Sequence, residues 1–442
     1  MNNPIVRFAR LLGQAAVCLA LGMGSAAAAI TGLTGPNFSL AAQADYINTG
    51  DGQSIYSWGY AASGVSAPAM QYPGPTLVVN QGETVTVTLT NQLPVPTSIV
   101  FPGQEGVTAT VSTPGLLAGE AQPGVTTTYT FTAGRPGTYM YHSGTRPDLQ
   151  VEMGLVGALI VRPAVANPLK QAYGHTDSAF DYEYLFLLTE MDAKIHQQAE
   201  SASLSPTPQV DLDKIDTSNY FSTLWFINGR NGTDTLLADN LPTLPTQPYS
   251  ALARAHPGDK VLLRLIGGGH DLHPFHHHGN NSVQIARDGR LLGSTPGAGA
   301  DLATSNYTIA VAPGSTYDAI FTWTGKGLGW DIFPNDPATP HTCTPDANGF
   351  DPTSREWCAD HGKPLPVALP GQLDINNGPF WSGSPFLGTA GSLPPGQGGF
   401  NANAGYFFMW HSHTEKELTN DNIFPGGMMT MFIVEPVGVP IK

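Results

Sequence analysis

The chain has 442 residues, of which 51 are glycine, 38 are proline and only 12% are charged. This length allows two or three domains with real cores, and the composition suits a turn-rich β protein and argues against a helical bundle. The net charge is −15 and no lysine–arginine cluster occurs, which excludes nucleic acid and anionic membrane surfaces as expected partners.

Residues 1–29 have the form of a signal peptide. Arg7 and Arg10 supply a positive start, "LLGQAAVCLALGMG" an apolar middle that includes Cys18, and "SAAAA" a small-residue cleavage site before Ile30. The apolar run is too short and too rich in small residues for a membrane anchor. The expectation is therefore an exported protein, periplasmic or secreted, with no membrane span once the signal is removed.

After that leader, "TLVVNQGETVTVTLTNQL" shows strict period-two alternation around a Gly82-containing turn, and "TTTYTFTAGRPGTYMYHSG" repeats the pattern. Residues 36–163 read as one antiparallel sandwich of short strands closed by "GLVGALIVRP". "NPLKQAYGHTDSAF" reads as a linker. Residues 175–437 then repeat the plan: "ARAHPGDKVLLRLIGGG" mirrors the first alternating hairpin, "GSTYDAIFTW" mirrors "GVTTTYTFTA", and "YFFMWHSHT" mirrors "GTYMYHSGT". The fold class expected is all-β, with two Greek-key β-sandwich domains. The second domain is interrupted at about 325–404 by a Pro/Gly/Asp-rich insertion, of the kind that shapes a site, covers one or mediates contacts. The insertion carries Cys343 and Cys358, 15 positions apart. In an oxidising compartment they most simply form one disulfide. His341 and His361, just outside them, leave a zinc site of two Cys and two His as the alternative.

The candidate functional residues are histidines. Five of the 13 fall in "HDLHPFHHHGNN", and His411 and His413 flank Ser412 in "GYFFMWHSHTEKEL". On an extended strand, residues i and i+2 share a face, so His276 pairs with His278 and His411 with His413. Two such pairs on neighbouring strands would gather four imidazoles, which are ligands for Cu, Zn, Fe or Ni. His142, in the matching strand of the first domain, is the fifth candidate. His277 should point away, and His175, His196, His256 and His270 read as ordinary surface or core residues.

At this point the residues resemble the multicopper oxidases, built from cupredoxin domains, and in particular their two-domain type. The resemblance rests on "YPGPTLVVNQGETVTVTLTN", "GTYMYHSGTRPDLQVEMGLVGALIVRP", "WFINGR", "HPGDKVLLRLIGGGHDLHPFHHHGN", "WHSHT" and "GGMMTMFIVEP". Enzymes of that family carry a type 1 copper on a cysteine thiolate and a trinuclear copper cluster on eight histidines, linked through a His-Cys-His tripeptide. Here the middle residue is Ser412, and the matching strand of the first domain has Ser143. A hydroxyl is hard and stays protonated, so it cannot replace a soft thiolate. His273 stands at the place of a type 1 histidine and Met428, or a neighbour, near that of the axial methionine. A second imidazole is missing after His413, and neither Cys343 nor Cys358 sits on a core strand. The expectation is no type 1 site.

The resemblance also implies that His276, His278, His411 and His413 match cluster ligands of the second domain. The first domain keeps only His142, because "PTSIVFPGQ" lacks histidine and Gly144 takes the other place. Five imidazoles suit one or two copper ions and not the full cluster. In two-domain relatives the cluster forms between subunits of a homotrimer, which would bring His142 to the other four. The function implied is a copper oxidoreductase with a non-blue site, taking electrons from a small molecule or redox protein and passing them to oxygen or another acceptor. The alternatives are a copper or zinc protein for storage, delivery or detoxification, to which Met428, Met429 and Met431 would suit copper(I), and an interaction scaffold with a degenerate site.

Overall fold

The computed structural model describes residues 30–63, 69–333, 340–364, 403 and 405–441. The leader read over 1–29, and almost all of the insertion beyond residue 364, lie outside the described residues.

The alternation in "TVTVTLTN" becomes the strand Thr84–Asn91, with Val85, Val87 and Leu89 fully buried and the intervening threonines turned toward solvent. It pairs antiparallel with Thr126–Thr132, placing Val87 opposite Tyr129. On its other side it pairs parallel with Asn37–Asn48. The second sheet of this domain runs Leu33–Thr34, Gly74–Asn80, Val156–Arg162, Gly137–His142, and Val156–Arg162 again pairs parallel with Gly74–Asn80. Leu77, Val79, Leu159 and Val161 from this sheet meet Val85, Val87, Leu89 and Tyr129 from the other in one core. The expectation of a purely antiparallel sandwich is thus corrected: alternation reports which face a residue takes and carries no information on strand direction.

The second domain repeats the two-sheet plan. One sheet includes Leu224–Ile227, Tyr182–Met191, Val261–Gly267, Thr316–Phe321 and Ser282–Arg287, and the other runs Ala253–Ala255, Met429–Val434, Tyr406–Ser412, His273–His277, Thr308–Val311. Between them, Trp410 stacks on Phe432 with ring centroids 4.7 Å apart and meets Phe321 edge-on at 5.1 Å. Both domains are cupredoxin sandwiches, and the fold is all-β but for short helices. The helix Ala193–Ser203, which strand periodicity did not anticipate, starts on the side chain of Asp192, which accepts the Lys194 N–H at 2.9 Å. It packs Ile195, Ala199 and Ala202 into the core of the first domain. Its His196 is buried, with Nδ1 2.6 Å from the Tyr56 carbonyl oxygen.

The two domains share a buried apolar seam in which Tyr72, Met140 and Val156 meet Leu187, Phe226 and Ile266. Beside it lies a buried charge network. Glu183 accepts from Arg162 Nη1 at 2.8 Å and from Arg264 Nε at 2.9 Å, and Arg264 also donates to Thr138 Oγ1 at 2.8 Å. Burial pushes the Glu183 carboxyl up, but the two guanidinium groups outweigh it and hold it below its usual range.

In the described part of the insertion, Cys343 and Cys358 are joined, so the zinc set of two Cys and two His is not formed. The strands Phe350–Asp351 and Glu356–Trp357 make a hairpin beside this bond. Arg355 anchors it to the domain by donating to the Pro257 carbonyl oxygen at 3.1 Å and pairing with Asp259.

Candidate metal centre

The strand pair His273–His277 and Tyr406–Ser412 sets the site. Its antiparallel register puts His276 opposite His411, Phe275 opposite Ser412 and His277 opposite Trp410. His276 and His411 therefore leave the sheet on one face, and Phe275, Ser412 and the core lie on the other. His278 follows the strand end and returns to the same face. Ring centroids are 4.6 Å apart for His276 and His278, 5.4 Å for His276 and His411, and 5.1 Å for His278 and His411. One nitrogen from each of these three residues lies within 4.8 Å of the other two, and the Nε2 atoms of His278 and His411 approach to 3.1 Å. His413 lies past the strand end, its ring 4.8 Å from that of His276 and its side chain 47% exposed, at the mouth of the group. His277 points away, its ring 5.7 Å from Phe321 and 6.2 Å from Trp410.

Two backbone carbonyls orient the ligands. His276 Nδ1 lies 2.9 Å from the Tyr307 carbonyl oxygen and His411 Nδ1 lies 2.6 Å from that of Ser412. A carbonyl only accepts, so each Nδ1 carries the hydrogen and each Nε2 presents a lone pair. Burial and then the neighbouring imidazoles pull His276 down to about 4 and His278 to about 3. Burial, relieved in part by the Ser412 carbonyl and deepened by His413, brings His411 to about 4. At neutral pH all three are neutral, the form that binds a metal ion. The group opens into a cavity of about 590 Å³, walled by Asn280, Tyr307, Trp323, Lys326 and His413. Two oriented lone pairs, a third imidazole whose Nε2 lies 3.1 Å from one of them, and an open side fit a copper or zinc ion.

His142, at the end of Gly137–His142, is not brought to this group within the chain. It lines a separate cavity with Tyr220, His270 and Asp271. Its Nδ1 lies 2.8 Å from the Ser143 carbonyl oxygen, the same orienting contact that His411 makes with Ser412.

The residues that the resemblance sets at a type 1 copper are differently placed. His273 is fully buried, with Nε2 2.7 Å from Glu190 Oε2 and Nδ1 2.9 Å from Glu417 Oε2. Burial pulls its pKa down, but hydrogen bonds and charge from the two carboxylates overcome this and lift it to about 9. An imidazolium with both nitrogens engaged has no lone pair for a metal. Ser412 Oγ accepts the Thr414 N–H at 3.2 Å, and in the first domain Ser143 Oγ donates to Gln150 Oε1 at 2.6 Å. These residues do not fit a thiolate copper centre. Glu190 and Glu417 were not singled out in the sequence: Glu190 stands near the end of the strand Tyr182–Met191, Glu417 lies in the 3-10 turn Glu415–Leu418, and nothing local marks either as a partner of His273.

Fold and site together define a two-domain cupredoxin protein with a cluster of imidazoles that could hold a metal ion. The sequence profile of the multicopper oxidases matches residues 56–165. A multicopper oxidase of Talaromyces pinophilus is 36% identical over 101 residues, which is 22% of this chain and 16% of that protein. Copper resistance protein A of Escherichia coli is 26% identical over 272 residues, 56% of this chain and 41% of that protein. The chain thus spans less than half the length of either relative. Among solved structures, a blue copper oxidase from Nitrosomonas europaea superposes with a TM-score of 0.53 at 19% identity, over 90% of this chain and 85% of that one. Residues 56–165 thus match the multicopper oxidase family, and the described fold is like that of a blue copper oxidase.

Proposed function

We propose that the protein is an exported copper oxidoreductase whose metal is held by His276, His278 and His411, with His413 at the open side, and which works without a blue centre. The observation that carries this reading is the convergence of three neutral, buried imidazoles whose ligand atoms lie within 4.8 Å of one another, two of them, His276 and His278, lining an open cavity. Copper, when bound there, supplies one-electron exchange between a donor and an acceptor. The chain's own part is to orient the Nε2 lone pairs through the Tyr307 and Ser412 carbonyls and to keep the imidazoles unprotonated. Tyr307 and Trp323 give the cavity flat apolar walls suited to a planar donor, while Lys326 adds a cation at its rim. Export rests on the form of residues 1–29, and among the described residues no helix is long and apolar enough to cross a membrane. The same reading assigns His142 to a homotrimer, at a contact between the first domain of one copy and the second domain of the next.

The test is to load the purified chain with copper, remove loose metal, and record copper content, absorption and electron paramagnetic resonance. Retained copper without an intense blue band, lost in His276→Ala/His411→Ala, supports the site. Oxygen uptake with a phenolic or redox-protein donor then separates turnover from storage. No retained copper overturns the proposal. Light scattering that shows a monomer overturns the trimer alone.

A further inference from the structure

The insertion brings together a second set of metal-ligating side chains that the imidazole centre does not use. Asp331, His341, Glu356 and His361 each offer one ligand atom, and these four atoms lie within 4.8 Å of one another. They come from three stretches of chain: the segment leaving the cavity wall, the residues just before Cys343, and the hairpin and turn around Cys358. The carboxylates are buried, with the Glu356 side chain 2% exposed and that of Asp331 4%, while both histidines are 32% exposed.

The distances are within a few tenths of an ångström of those between ligands around an ion. Glu356 Oε1 stands 3.1 Å from His341 Nε2, and among the described residues neither of these solvent-excluded atoms makes a hydrogen bond. Glu356 Oε2 lies 3.2 Å and Asp331 Oδ2 3.5 Å from His361 Nδ1. A tetrahedral ion with bonds of about 2.0–2.2 Å holds its ligand atoms roughly 3.3–3.6 Å apart. The second carboxylate is fixed from behind: Asp331 Oδ2 accepts the Gly362 N–H at 2.7 Å, and Oδ1 accepts the Phe333 N–H at 2.9 Å. Two carboxylates balance a divalent charge, and two imidazole nitrogens complete a set of four donors. Mixed nitrogen and oxygen donors suit zinc and disfavour calcium, which takes oxygen.

We propose that Asp331, His341, Glu356 and His361 form a second divalent-cation site, of zinc type and structural in role. Four protein ligands close the coordination shell, as in structural sites. The ion would tie Asp331, five residues beyond the cavity-wall residue Lys326, to the disulfide-bonded hairpin. It would thereby hold the wall of the imidazole cavity in place.

The test uses the full chain carrying His276→Ala/His278→Ala/His411→Ala, which removes the first centre. Loaded with zinc and desalted, it is expected to keep about one zinc per chain, and with cobalt(II) to show the strong visible absorption of a tetrahedral ion. Adding His341→Ala or His361→Ala, each partly exposed and tolerable to the fold, should lower zinc affinity at least tenfold and abolish the cobalt band. Circular dichroism checks that each variant is folded. A folded triple variant that binds neither metal overturns the proposal and leaves a cluster of histidine–carboxylate ion pairs. Binding unchanged by His341→Ala and by His361→Ala overturns it equally.

Discussion

Replacing His273 by glutamine tests the claim that this residue is a buried cation and not a copper ligand. In the folded protein its pKa stands at about 9 against 6.5 in an unfolded chain, and its side chain is fully buried between Glu190 and Glu417. That rise corresponds to about 3 kcal/mol of folding stability. Because the folded value is the higher one, the contribution is complete below pH 6.5 and is lost as pH climbs from 6.5 through about 9. His273→Gln removes the cation and leaves two buried carboxylates facing each other, a change of the kind that costs about 3–5 kcal/mol. The loss should be largest near pH 6 and shrink by about 3 kcal/mol toward pH 9.5, where the wild-type imidazole has itself given up its proton. Urea unfolding followed by circular dichroism at the two pH values measures this difference. Copper retention should stay within a factor of two of wild type. A pH-independent difference, or loss of bound copper, would refute the reasoning.

Two further outcomes are expected. Ser412→Cys places a thiol between His411 and His413 but should not yield an intense blue absorption with copper(II), because His273 remains engaged by Glu190 and Glu417; a blue band would show that the carboxylates yield the imidazole to the metal. Glu183→Gln strips the anion from between Arg162 and Arg264 at the domain seam and should lower stability by about 3–5 kcal/mol in thermal or urea melts. Since the Glu183 carboxyl is held below its ordinary value of 4.5, the wild type should lose this contribution as pH falls below 4.5, and the variant should lack that step.

Much of the candidate site was legible in the chain itself. His276 and His278, and His411 and His413, share faces because neighbouring side chains on a strand alternate, a local steric fact that needs no partner. The same rule turned His277 into the core against Trp410. The serine between the two C-terminal histidines is a hard donor wherever it stands, since donor softness belongs to the residue and not to its surroundings. The helix Ala193–Ser203 was missed because its apolar face is short and packs on the other domain, which periodicity in a strand-rich chain does not reveal.

What sequence could determine, then, is the direction and chemistry of each side chain along its own strand. Tertiary structure decided which strands met and which groups were buried together. The register that sets His276 against His411 is a property of the pair of strands. His273 became a cation because folding pressed it between carboxylates 83 and 144 residues away. Asp331 and Glu356 joined His341 and His361 only when the disulfide-bonded hairpin closed over the segment leaving the cavity. The charge state and ligating power of an imidazole depend on desolvation and on the charges within a few ångströms, and those are fixed by packing across the sheets and not by neighbours in the chain.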